Sequence, residues 1–262
     1  MAKVLLGYSG FIGKSVYKVF SSQKENLIPI SSKEINLLDH NSDMLLSNYY
    51  SKDTDVIMCA GIKKQYGDNL KNWIDNEIIT RNFVQSITNK QPRHIIYFSS
   101  ASLYGEDIKF ENLISEETPV NLRSYYGISK YNSENILKMV CKDHNIPLMI
   151  LRPPLIYGVN DTTIGYGPSL FAHNAILKKD IQLWGDGSEL REFIFVDDLA
   201  FLCVEILKNN ISGTLNTISG QSFSYIEVIQ IIEKFLGCRL KIKNKKRTKE
   251  KVDHQYSNTF HL

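Results

Sequence analysis

Seven residues near the start of the chain, GYSGFIG (7–13), restrict its fold more than any other stretch. They follow a short apolar run, KVLLG (3–7), that reads as a buried strand. They lead into FIGKSVYKVFSS (11–22), where Ile12, Val16, Val19 and Phe20 recur at helical spacing. A strand that passes through glycines into a helix can hold a dinucleotide. Gly7 allows the tight turn, Gly10 lets the backbone approach a pyrophosphate, and Gly13 lets helix and strand pack closely. The N–H groups of Phe11 and Ile12 would then face the anion at the helix N-terminus. A glycine triplet elsewhere would be an ordinary turn; its place between strand and helix makes it a nucleotide-binding signal.

The rest of the chain repeats the alternation. Strands are expected over NLIPIS (26–31), DVIMCAG (55–61), RHIIYFSS (93–100) and IPLMILRPP (146–154). A long helix is expected over 69–90 with Ile74, Ile78, Phe83, Val84 and Ile87 inward, and another over 123–144. Strands alternating with helices of this length imply right-handed βαβ units and a parallel sheet covered on both faces. The expected fold is α/β, a Rossmann-type doubly wound parallel sheet. After Arg152 the elements shorten between glycine-rich loops, YGVNDTTIGYGP and LWGDGSELREF. This change predicts a small interwoven C-terminal substrate-binding lobe. The dinucleotide-binding domain is expected over 1–152 plus about 190–215, and the lobe over about 153–189 and 216–262.

Composition narrows the function. The chain is 43% hydrophobic and 23% charged, enough apolar content for a substantial core. No apolar run is long enough to span a bilayer, and MAKVLLGYSG lacks the features of a signal peptide. No membrane partner and a cytoplasmic location are expected. Cys59, Cys141, Cys203 and Cys238 are far apart and form no CxxC pair, so reduced thiols are expected. The histidines show no metal-ligand spacing, and no metal is expected. A net charge of +3 is too small to imply a nucleic-acid partner. The basic run KIKNKKRTKEK (241–251) has no interleaved aromatics and reads as a solvated surface strand and loop.

The end of the second strand bears on the cofactor. An NAD-selective fold usually places an acid there to hold the ribose hydroxyls. Here Ser31, Ser32 and Lys33 stand in its place, and hydroxyls with an ammonium suit a 2′-phosphate. NADP(H) is therefore favoured, while Glu34 next in line keeps NAD(H) possible.

SYYGISK (124–130) carries two tyrosines ahead of a lysine on an expected helix. Four steps of a helix turn through about 40°, so Tyr126 and Lys130 share a face. Tyr125 lies about 140° round and points elsewhere. A free tyrosine titrates at about 10, and a nearby ammonium favours its phenolate, so Lys130 is expected to lower that value. A core tyrosine with a snorkelling lysine would give the same spacing.

Taken together, GxxGxxG at 7–13, SSASLYG at 99–105, YGISK at 126–130 and WGDGSELREFIFVDDLA at 184–200 resemble the extended short-chain dehydrogenase/reductases. That group includes the nucleotide-sugar epimerases, dehydratases and reductases, and the resemblance runs through nearly the whole chain in order. It implies that Ser100 is the catalytic serine, Tyr126 the catalytic tyrosine, and Lys130 the lysine holding the nicotinamide ribose. The cofactor would thus contact Tyr126 and Lys130 as well as the glycine loop. Asn36 matches the position of an adenine-contacting aspartate. Asn76 matches an asparagine on the helix before the serine strand, and Arg191 an arginine that reaches the substrate diphosphate. The loop Leu183–Gly187, with Trp184, falls where the family packs against the nucleoside base. On these grounds Ser100, Asn76, Trp184 and Arg191 are the substrate-binding candidates, and Gly127 is expected to leave room for cofactor or substrate. The resemblance also implies a homodimer built from the helices at 69–90 and 123–144.

Departures from the family pattern divide the reactions. The 4,6-dehydratases carry an acid pair after the serine or threonine, where this chain has Ala101 and Ser102. The bifunctional epimerase–reductase of GDP-fucose synthesis needs a cysteine there and a downstream histidine; His173 reads instead as a solvent-exposed loop residue. Leu155 stands where many epimerases place a sugar-contacting asparagine, and the C-terminus is shorter than epimerases usually have. These features favour an NAD(P)H-dependent reductase of a nucleotide-linked 4-keto-6-deoxy sugar, with Tyr126 protonating the ketone oxygen. An NAD-dependent nucleotide-sugar 4-epimerase is the alternative, and a non-catalytic dinucleotide sensor a remote one.

Overall fold

A computed structural model describes residues 1–161 and 165–257 of the chain. Residues 162–164 of the first glycine-rich loop and 258–262 of the expected lobe lie outside the described residues.

The first strand, β1 (Ala2–Leu6), passes through the glycine loop into α1 (Phe11–Ser22). Then follow β2 (Leu27–Ile30), α2 (Ser42–Ser47), β3 (Thr54–Met58), α3 (Leu70–Asn89) and β4 (His94–Phe98). A 3-10 turn, Ala101–Tyr104, and a loop lead to α4 (Tyr125–Asp143) and β5 (Leu148–Arg152). The remaining elements are β6 (Leu155–Tyr157), α5 (Pro168–Ile176), β7 (Ile181–Trp184), β8 (Leu190–Phe195), α6 (Val196–Asn209), β9 (Gly213–Asn216), β10 (Ser222–Ser224), α7 (Tyr225–Leu236) and β11 (Ile242–Lys245).

Six strands form one parallel sheet in the order β2-β1-β3-β4-β5-β9. Residues 4–6 of β1, 56–58 of β3 and 95–98 of β4 are apolar and buried on both faces, which is why these strands read as apolar runs. On one face α2, α3 and α4 enclose a core that includes Leu46, Phe83, Ile87 and Leu137. On the other, α1 and α6 bury Val16, Phe20, Leu199, Cys203 and Leu207. Ser15 and Lys18 both bond Asp197, at 2.5 and 2.9 Å, and so tie α1 to the start of α6. The strand order reverses between β1 and β3, and the carboxyl ends there open the crevice where such sheets bind ligands.

The long helix α3 buries Phe83 and Ile87 of the expected stripe, but Ile74 falls outside it. Asn76, Ile79, Phe83 and Ile87 are buried, Ile78 and Val84 are half-buried, and Ile74 is exposed. Ile74 precedes Phe83 by nine residues, about 180° round the axis, so the two cannot share a face.

The smaller lobe has two sheets, β10-β8-β6 and the parallel pair β11-β7. Its core is Phe171, Ile181, Leu183, Phe193, Tyr225 and Ile229. The chain crosses between units inside one short stretch: β8 pairs with β6 and β10, yet Ile194 packs into the main core and α6 and β9 complete the large unit. All four cysteines are free thiols. Among the described residues no helix is long and apolar enough to cross a membrane. No group of three potential metal ligands occurs among them either.

Candidate active site

The phosphate loop has the geometry its glycines require. Gly7 has φ +80°, and a side chain there would press on the backbone of Ala60, its Cβ 2.8 Å from the nitrogen. A Cβ on Gly13 would stand 2.2 Å from the Gly7 carbonyl oxygen, so this glycine lets α1 rest on the turn. Gly10 differs: its Cβ would meet only that same oxygen, at 3.3 Å, and its other side is open. No side chain caps α1, which leaves its first N–H groups facing that space. A cradle of this shape fits the pyrophosphate of a dinucleotide, and Phe11, Ile12 and Gly13 are the residues that would hold it. Lys63, which sequence reading did not single out, places its ammonium 5.2 Å above the Phe11 ring at the mouth of the loop. It also lies 3.9 Å from Asp161.

At the end of β2 the three polar candidates separate. Ser31 is buried, and Glu34 Oε2 accepts from both its N–H (2.8 Å) and its hydroxyl (2.5 Å). These bonds hold the Glu34 carboxyl below its usual range, so it carries its charge beside the strand end. Ser32 and Lys33 remain exposed and available to a ligand. Asn36 closes a turn on itself, accepting from Leu38 N–H at 3.2 Å and donating to Asp39 at 3.0 Å.

Ser100, Tyr126 and Lys130 converge at the carboxyl ends of the central strands. Ser100 caps the 3-10 turn that follows β4, its hydroxyl accepting from Ser102 N–H at 3.1 Å. Tyr126 opens α4, whose cap is Ser124 accepting from Gly127 N–H at 3.0 Å. Asp68 accepts from the Tyr126 N–H at 3.0 Å and so fixes the helix start to the loop before α3. Lys130, one turn on, is buried; its ammonium lies 5.8 Å from the Tyr126 ring centre and donates to Phe98 O at 2.8 Å. Tyr125 is exposed on the other side of the helix.

Electrostatics here depart from the expectation that Lys130 lowers Tyr126. Burial pushes the Tyr126 phenol up to about 12, with the Ser100 hydrogen bond opposing. Burial also brings Lys130 down to about 8, against the pull of Cys59 and Glu134. In the chain alone desolvation outweighs pairing, and Tyr126 holds its proton at neutral pH. Gly127 leaves room not for a ligand but for the protein: a Cβ there would stand 3.0 Å from Ser124 Oγ and 3.2 Å from the Ser102 carbonyl oxygen.

Asn76 is committed to the backbone. Its Oδ1 accepts from Ile62 N–H at 2.8 Å and its Nδ2 donates to Ile62 O at 3.1 Å, which clamps the loop after β3 beside Lys130. His173 is exposed, as expected, but on α5 rather than in a loop.

In the smaller lobe Glu189 bridges two guanidinium groups, Arg191 at 2.8 Å and Arg247 at 2.7 Å. Arg191 also donates to the carbonyls of Leu190 and Val252. Arg247 Nη2 is buried without a hydrogen-bond partner, and Gly185 admits the side chain, since a Cβ there would stand 2.3 Å from Arg247 Nε. Two cations sharing one carboxylate leave an excess positive charge suited to a diphosphate. Arg247 belongs to the run 241–251 that reads as solvated, and only its half-burial against β7 distinguishes it. Trp184 is exposed next to Gly185, with Lys245 5.4 Å over its ring.

Comparison with known proteins gives a consistent picture. Residues 4–218 match the NAD dependent epimerase/dehydratase family. The chain is 23% identical over 259 residues to GDP-L-colitose synthase of Yersinia pseudotuberculosis, covering 91% of this chain and 83% of that one. Its fold superposes on the UDP-glucose 4-epimerase of Thermus thermophilus in complex with NAD with a TM-score of 0.85. Identity is 16%, over 98% of this chain and 90% of the other. RMD of Pseudomonas aeruginosa, complexed with NADPH, gives a TM-score of 0.83 at 20% identity over 99% and 90% of the two chains.

Proposed function

Because the chain belongs to the NAD-dependent epimerase/dehydratase family, we propose that it is an NAD(P)H-dependent reductase of a nucleotide-linked 4-keto-6-deoxy sugar. The observation that carries this reading is a protonated, desolvated Tyr126 beside Ser100 and Lys130, with no carboxylate at 101 or 102. Reduction of a ketone needs a proton donor at the sugar oxygen, and dehydration needs the acids that are missing.

When bound, the reduced nicotinamide supplies a hydride to sugar C4. Tyr126 holds the proton that the C4 oxygen takes, and Ser100 hydrogen-bonds that oxygen as charge develops on it. The Lys130 ammonium stabilises the phenolate left on Tyr126. Arg191 and Arg247 bind the diphosphate, and Trp184 borders the nucleoside base. The exposed Ser32 and Lys33 at the end of β2 support NADP(H), as does the similarity to an NADPH-bound structure.

One observation favours a second reading, an NAD-retaining 4-epimerase. The charged Glu34 at the end of β2 suits ribose hydroxyls, and a neighbouring fold was solved as a 4-epimerase with NAD. The exposed apolar residues Leu70 and Ile74 on α3, with Ile136 and Met139 on the adjacent α4, support a homodimer through that face.

The test is nicotinamide absorbance of purified protein with NADPH and a panel of nucleotide-linked 4-keto-6-deoxy sugars. Stoichiometric oxidation with one of them supports the reductase and names its carrier. No oxidation with any, together with NAD released from the denatured protein, favours the epimerase.

A further inference from the structure

The end of the smaller lobe where α5 and α7 finish carries an unusual surface. Helices α5 and α7 pack together over one core, and each feeds a strand of the parallel pair β7-β11 through a connector of a few residues. Ile181 pairs with Ile242, and Ile181 N–H donates to Lys241 O at 2.8 Å, so both helix C-termini come to one edge of the molecule. That edge exposes Phe235 at 89%, Ile176 at 73%, and also Leu177, Ile231 and Leu236. Ile231 and Phe235 are four residues apart on one flank of α7, and Phe235, about two turns beyond Val228, stands past the core that Tyr225, Val228 and Ile229 fill.

Charge at the same edge is one-sided. Lys178, Lys179, Lys234, Arg239, Lys241 and Lys243 are all exposed. The same segments, 176–180 and 231–243, contain two acids, Asp180 and Glu233. Asp180 pairs with Lys243 at 2.6 Å and Lys241 at 3.6 Å, and Glu233 with Arg239 at 2.9 Å. Six cations against two carboxylates leave four positive charges around a protruding apolar tip.

We propose that this edge docks the protein on anionic lipid bilayers. Protruding aromatic and aliphatic side chains enter the interfacial zone while surrounding lysines and arginine meet the headgroup charges. Docking of this kind needs no spanning helix. A second copy is a poorer occupant, because a two-fold contact would set the same cationic rim against itself. The apolar residues also stand out from the surface rather than line a groove, which suits a deformable bilayer. Tyr225 at the other end of α7 packs on Phe193, next to Arg191, and a helix of this length spans about 18 Å. Docking would therefore leave the Tyr225 and Arg191 end of the lobe clear of the bilayer.

Co-sedimentation of the full chain with vesicles tests this. Vesicles of equal parts phosphatidylglycerol and phosphatidylcholine should pellet the protein at low salt, pure phosphatidylcholine should not, and added salt should release it. Phe235→Ser should weaken partitioning about tenfold. Lys241→Glu and Lys243→Glu should each weaken it at least about fivefold. Circular dichroism should show all three variants folded, since each side chain is exposed. Absence of pelleting with anionic vesicles overturns the proposal. So does pelleting that is indifferent to Phe235→Ser, or self-association in sedimentation velocity that Phe235→Ser abolishes while vesicles leave the chain in solution.

Discussion

Glu134 and Arg152 form a buried pair directly behind the candidate active site, with Arg152 Nε on Oε1 at 2.9 Å and Nη2 on Oε2 at 2.6 Å. Glu134 is four residues after Lys130 on α4, and its Oε1 also accepts from the Ser99 hydroxyl at 2.5 Å. Arg152, at the end of β5, donates to Tyr104 OH at 2.8 Å, and Tyr104 in turn donates to Asn216 at 2.9 Å. One ion pair thus joins the helix bearing Tyr126 and Lys130 to β5, and the Ser99 hydroxyl ties the same carboxylate to the end of β4, next to Ser100.

Removing half of that pair leaves a charge buried without compensation. Glu134→Ala should lower stability by about 3–5 kcal/mol. Urea denaturation of the two proteins measures the difference; a change under about 1 kcal/mol would mean that water reaches Arg152.

Tyr126→Phe removes the proton donor and little else, since the ring stays. Turnover should fall by about 10²–10⁴-fold, with the unfolding midpoint and dinucleotide affinity nearly unchanged. Equal activity in the variant would assign the acid role elsewhere.

The pH profile should report Lys130. Its ammonium, brought down to about 8 by burial, stabilises the phenolate formed on Tyr126 and is lost as pH rises through that value. Reductive turnover should therefore decline above about pH 8. In Lys130→Arg, whose guanidinium stays charged, any remaining activity should lack this basic limb. A profile flat to pH 10 in the unmodified protein would contradict the role.

Gly13→Ala and Gly10→Ala should differ in kind. At Gly13 the new methyl meets backbone at 2.2 Å, and stability should drop by about 1–3 kcal/mol. At Gly10 its one close neighbour is the Gly7 oxygen at 3.3 Å, so the fold should persist while dinucleotide binding weakens. Thermal unfolding and a cofactor fluorescence titration separate the two effects.

Arg247→Ala should raise KM for the nucleotide sugar by about tenfold or more and leave kcat nearly unchanged, because the group binds away from the reacting carbon. Steady-state kinetics decide it. A loss confined to kcat would place the side chain at the chemistry instead.

Much of this site was legible in the sequence. A strand, three glycines and an amphipathic helix are neighbours along the chain, and the tight turn at Gly7 and the close packing at Gly13 are local features of that stretch. The helical period placed Tyr126 and Lys130 on one face and Tyr125 on another. It was less reliable in α3, where the pattern permits more than one inward stripe; the packing of Asn76, Ile79 and Phe83 set it, and Ile74 was left outside.

What only the tertiary structure decided involves contacts between residues distant in sequence, or competition for one group. Ser31 lost its hydroxyl to Glu34 because the turn after β2 folds that carboxylate back. Gly127 proved necessary for Ser102, across the gap between α4 and the 3-10 turn. Arg247 sits in a run of lysines that local pattern marks as solvated, yet Gly185 and Glu189 draw it against Arg191. Periodicity is a short-range property written into neighbouring residues. Burial and charge pairing depend on what the fold brings alongside, and a linear pattern does not record that.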